Sequence, residues 1–121
     1  MDKTRYIIYI PTSGETELIQ VDGTDGREPS VRQLEDLTGR YIECAESKHG
    51  ALVASSESYT NAEPVNALAT RLMHPKSKDC IRGDAVLCAE SGNHLVGFTY
   101  ERAQRIADGL SEGREMTKGE T

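Results

Sequence analysis

"YIECAESKHGALVASS", residues 41–56, and "DAVLCAESGNHLVGFT", residues 84–99, decide how this chain is read. Each carries an apolar stretch into the same tetrapeptide, Cys-Ala-Glu-Ser, then into a polar turn containing Gly, and back into an apolar run. Ser, Gly and Asn suit turns because they offer local hydrogen bonds or tolerate positive φ. The β-branched and aromatic residues on either side fit a pleated, half-buried surface. Two strand–turn–strand units follow, and each Cys-Ala-Glu-Ser lies where a strand runs into its turn.

Working outward, "TRYIIYIP" (4–11) is a strand ended by Pro11, and "ETELIQV" (15–21) returns after the turn "TSG", making a third hairpin. "PSVRQLEDLTGR" (29–40) reads as a short amphipathic helix. Ser30 and Gln33 have the spacing of a capping box, Val31, Leu34 and Leu37 share a face, and Gly39 supplies a left-handed cap. A second helix is expected from Pro64 to Met73, with Pro64 in its first turn and Val65, Leu68 and Leu72 facing inward. "KSKDCIRG" (76–83) is a connecting loop. A third helix occupies "TYERAQRIADGL" (99–110), with Thr99 as cap and Ala103, Ile106, Ala107 and Leu110 inward. The expectation is an α+β domain over residues 1–110: a mainly antiparallel sheet built from hairpins, with three short helices against one side. Residues 111–121 have too few apolar side chains to pack and are read as a flexible tail.

A chain of 121 residues is one domain by length. Twenty acidic residues against fourteen basic ones give a net charge of −6, which argues against nucleic-acid binding, since phosphate contacts need a basic face. The longest apolar run falls well short of the roughly 20 residues of a membrane helix. With no export signal in the sequence, the cytoplasm is the expected compartment, where three cysteines stay reduced.

Cys44 with His49, and Cys88 with His94, invite a nucleophile–base reading. Each Cys, however, lies on a strand among apolar residues, away from the helix N-termini or cations that activate thiols. Both are expected to be small buried hydrophobes. Cys44, Cys80 and Cys88 with His49, His74 and His94 lack the paired spacing of a zinc site, so no metal is expected. "DGTDGRE" (22–28) lacks the alternating acids and distal Glu of a calcium loop. No phosphate-binding glycine loop and no other cofactor motif is present.

The segment "TNAEPVNALATRLM" (60–73) offers a different chemistry. On a helix, Asn66 and Thr70 lie four apart on one side, with Arg71 adjacent and away from the apolar stripe. Asn66, Thr70, Arg71 and nearby Arg82 are therefore the candidate binding residues: arginine for a phosphate, asparagine for a base or ribose. The competing reading is that Asn66 and Thr70 tie down loop backbone, as such residues commonly do.

"LEDLTGRYIE", "ALVAS", "EPVNALATRL" and "DCIRGDAVL", taken in order, resemble successive motifs of a family of small uncharacterised proteins of bacteriophages, prophages and plasmids that carry a domain of unknown function. The matching positions are Leu34, Leu37, Gly39, Tyr41, Ile42 and Glu43, then Asn66, Ala69 and Thr70, then Asp79, Ile81, Gly83 and Asp84. They span roughly Val31 to Leu87, and "SSESYT" departs from the pattern. The resemblance carries over no catalytic residue. It implies a phage accessory protein in the host cytoplasm: a non-enzymatic, homo-oligomeric binder that inhibits host antiviral defence by sequestering a nucleotide signal. The alternatives are an acidic protein that covers a host defence protein, and a small enzyme acting on a nucleotide.

Overall fold

All three expected hairpins form. Strand β1 (Tyr6–Ile10) pairs antiparallel with β2 (Glu17–Gln20), β3 (Ile42–Glu46) with β4 (Ala51–Ser55), and β5 (Ala85–Ser91) with β6 (His94–Val96). In this computed structural model residues 4–73 and 80–120 are described, with side chains through Leu110. His74 and Asp79, and the part of the expected loop from Lys76 to Asp79, lie outside the described residues. The first Cys-Ala-Glu-Ser enters a four-residue turn, Ser47–Gly50, where Ser47 Oγ accepts from Gly50 N at 3.1 Å and donates to Gly50 O at 2.8 Å. The second runs into a two-residue turn in which Gly92 takes a φ of 63°, as the first position of such a loop demands.

The hairpins join into one six-stranded sheet of order β2-β1-β5-β4-β3, with β6 paired to the far end of β5. Strand β5 is the hub: Leu87 faces Ile8 on one neighbour and Leu52 on the other. Helices were expected against one side of the sheet, and here the structure differs. Helix α1 (Val31–Thr38) covers one face, packing Leu34 over Ile7, Val53, Val86 and Cys88. Helices α3 (Ala67–Leu72) and α4 (Tyr100–Glu120) cover the other, over Ile8, Ile10, Leu52, Ala85 and Leu87. The reason is legible in hindsight: "ALVAS" is buried at all five positions, and a strand buried on both faces reads as a continuous apolar run rather than an alternation. Each fully buried Ile or Leu contributes roughly 1.5–3 kcal/mol.

The helices correct several local expectations. Ser30 Oγ does accept from Gln33 N at 3.0 Å, but Gln33 does not reach back to Ser30. Its amide instead spans to the end of β2, donating to Gln20 O and accepting from Asp22 N, so it fixes the helix to the sheet. Val31 is 61% exposed, standing before the stripe meets the sheet. Gly39 adopts φ 119°, ψ 176° rather than a left-handed cap, and a Cβ there would lie 2.9 Å from that of Ser55. Pro64 and Val65 precede α3, because Asn66 serves as its N-cap and the helix starts after it. The chain from Pro64 to Asn66 runs beside Ile81–Gly83, through Asn66 N to Ile81 O at 2.7 Å and Gly83 N to Pro64 O at 2.9 Å. A single helical turn not foreseen, α2 (Glu57–Thr60), occupies "SESYT". Helix α4 begins at the expected Thr99 cap and buries Ala103, Ile106, Ala107 and Leu110, then continues past Leu110 to Glu120.

Candidate functional site

The four residues singled out from the sequence do not share a surface. Asn66 is only 1% exposed, and its Nδ2 donates to Ile10 O at 2.8 Å and Gly83 O at 3.0 Å while Oδ1 accepts from Ala69 N at 3.1 Å. Thr70 Oγ1 accepts from Ile81 N at 2.9 Å. These two side chains hold backbone from β1, α3 and the Ile81–Gly83 segment together. Arg82 lies apart, with Nη1 donating to Glu63 O at 2.9 Å. Arg71 lines a cavity, and the other three are not among the described residues that line it.

That cavity measures about 530 Å³ and opens between the β3–β4 turn, α3 and α4. The turn contributes Lys48 and His49, and Lys48 N donates to Leu72 O at 3.3 Å, which draws the turn onto the C-terminal end of α3. Helix α3 contributes Leu68, Arg71 and Leu72. In α4 the inward stripe is flanked by Arg102, Arg105 and Gly109, which reach the cleft together with Ile106 and Leu110. The floor is therefore leucine and isoleucine, and the rim is four cations and an imidazole. A volume in this range, apolar with a few polar groups, suits a small-molecule ligand.

The electrostatics are one-sided. No carboxylate belongs to the described residues that line the cleft. Lys48, Arg102 and Arg105 have no ion-pair partner among the described residues; the ion pair that is found there joins His94 and Glu28, at 3.2 Å and away from the cleft. Arg102 lies over the Phe98 ring at 5.8 Å, which steers its guanidinium without neutralising it. Burial, then the charges of Arg102 and Lys48, holds the His49 pKa below the ordinary 6.5. In a chain with six more acids than bases, these cations form a local positive pole among the described residues.

The cysteines stand differently from one another. Cys88 is fully buried, and burial pushes its thiol up to about 12. Cys44 was expected to be buried and is exposed, because β3 is the sheet's edge and α1 does not cover it fully. Its thiol is nonetheless raised, by desolvation and then by Glu90, the opposite of what a nucleophile requires. In the Asp-Gly loop, Asp22 accepts from Ser30 N and Oγ, and Asp25 from the amides of Arg27 and Glu28. Those carboxylates serve the loop's own backbone, which holds both pKa values down.

Lys48, Arg102 and Arg105 were missed in the sequence. The only signal was that two arginines border the apolar stripe of "ERAQRIADGL" at a spacing of three. Lys48 gave none, since a lysine in a turn is usually just solvated. Comparison of the chain with protein-family models, with curated proteins and with solved structures finds no match.

Proposed function

We propose that the protein is a non-enzymatic binder that captures a phosphorylated small molecule of nucleotide size in the cleft between the β3–β4 turn, α3 and α4. The observation that carries this reading is the ring of Lys48, Arg71, Arg102 and Arg105 around an apolar floor in an otherwise acidic chain. Arginine pairs bidentately with phosphate, and lysine adds a mobile point charge. Neutral His49 offers one further hydrogen bond to the same anion and can take up a proton when the anion arrives. Asn66 and Thr70 act at one remove by fixing the start of α3, from which Arg71 projects. The described lining of the cleft comes from one chain.

The resemblance to phage and plasmid proteins supplies a setting: sequestration of a nucleotide signal of host antiviral defence, in the host cytoplasm. Native mass spectrometry of protein purified from bacteria with such a defence system active tests it. A small anionic adduct should accompany the wild type and be lost from Lys48→Ala/Arg102→Ala. Protein that carries a host protein and no small molecule would contradict the proposal and favour the acidic, protein-covering alternative.

A further inference from the structure

We propose that Gly109 decides which anions the cleft accepts, by leaving the α4 backbone bare for the uncharged body of a nucleoside phosphate. This inference rests on the anion-binding reading of the cleft and adds the shape of what it holds. Among the described glycines through Leu110, every other one has a structural reason. Gly14, Gly26, Gly39, Gly50, Gly83 and Gly92 have positive φ. A Cβ at Gly23 or Gly97 would come within 2.1 Å or 2.6 Å of neighbouring atoms. Gly109 has neither reason: it lies inside a helix, and among the described residues a Cβ built on it meets nothing within 4 Å. Glycine is the poorest helix residue after proline, and no contact among the described residues favours it at this position. What the missing side chain leaves is room, and Gly109 lines the cleft.

The position of that room within the cleft gives the ligand a direction. Lys48, His49 and Arg102 line the end of the cleft made by the turn and the start of α4, Arg105 stands one turn before Gly109, and the arginines of α4 that line the cleft all precede Gly109. Gly109 lies two helical turns beyond Arg102, roughly 10 Å along the axis at 1.5 Å per residue, beside Leu110. A ligand with phosphates at the first end and an uncharged, partly apolar body at the second matches both. A bare phosphate would use only the first.

Calorimetric titration with two probes, ADP and inorganic pyrophosphate, tests this on wild type, Gly109→Ala and Gly109→Leu. Melting curves accompany the titrations and should show a raised Tm for Gly109→Ala. In Gly109→Leu, ADP affinity should fall at least about tenfold while pyrophosphate affinity stays within about twofold. Gly109→Ala should show a smaller loss in the same direction despite its higher Tm. Unchanged ADP affinity in Gly109→Leu, or equal losses for both probes, would overturn the inference while leaving the cleft as an anion site. A wild type that binds neither probe would overturn the cleft reading itself, and this inference with it.

Discussion

The two ends of α3 show polar side chains doing opposite jobs at one short helix. At the start, Asn66 is buried and spends its amide on three backbone groups. At the other end Arg71 looks into a cleft lined by three further cations. In the sequence they lie five positions apart and both are polar, so they looked like one surface. The difference lies in what the neighbouring backbone lacks. Ile10, Gly83 and Ala69 each present a group that needs a partner where no water reaches, and Asn66 supplies all three. Around Arg71 the described lining of the cleft is aliphatic side chains, an imidazole and like charges, and none of the backbone groups that occupy Asn66 is there.

The sharpest way to break this contrast is at Asn66. Asn66→Ala strands two buried carbonyls and an amide, and should lower unfolding free energy by about 2–4 kcal/mol in urea melts. Asn66→Asp keeps the cap acceptor but loses both donors and places a charge in the core, so it should be no better. Measured on molecules that remain folded, anion affinity should change little in either variant. A stable Asn66→Ala protein with lost binding would reverse the roles assigned to the two ends.

The complementary change is Arg71→Ala. Loss of one charge-assisted contact should weaken ADP or pyrophosphate binding by roughly 1.5–3 kcal/mol, or about ten- to a hundredfold, with stability nearly unchanged. A fall in stability comparable to that of Asn66→Ala would show that Arg71 is scaffold as well.

Much of the fold was legible because it is written locally. Three hairpins, the Ser30 cap and the inward stripe of α4 follow from spacing within a dozen residues. What was not legible depends on contacts between distant segments. The covering of both sheet faces shows locally only in the unbroken apolar run of β4, and the pairing of β5 with β1 and β4 is announced by no local pattern. The two Cys-Ala-Glu-Ser segments make the point on identical residues: Cys88 falls at the hub and is buried, Cys44 at the edge and is exposed. The cleft was hidden for the same reason. Its cations come from positions 48, 71, 102 and 105, and only the docking of the β3–β4 turn on α3 and α4 brings them together.

A finer test of the cleft's polarity comes from pH. The folded pKa of His49 lies below its unfolded value of 6.5, so folding favours the neutral ring. Its contribution is therefore fully present above pH 6.5 and is lost as pH falls through the lower folded value. Without ligand, the wild type should lose Tm relative to His49→Gln as pH drops from 7 toward 5. A bound anion favours the charged ring, so anion affinity should rise over the same interval in the wild type and rise less in His49→Gln. Identical pH profiles for the two proteins would show that neither burial nor the cationic rim acts on this histidine.

The measurement that bears most directly on the cleft is a calorimetric titration of pyrophosphate into wild type and Lys48→Ala/Arg102→Ala, with melting curves of both. The wild type should bind, and the double variant should bind at least about tenfold more weakly at an equal or higher Tm, since it relieves repulsion among like charges. Equal affinity in the two folded proteins would contradict an anion site at this cleft, as would a wild type that takes up no pyrophosphate.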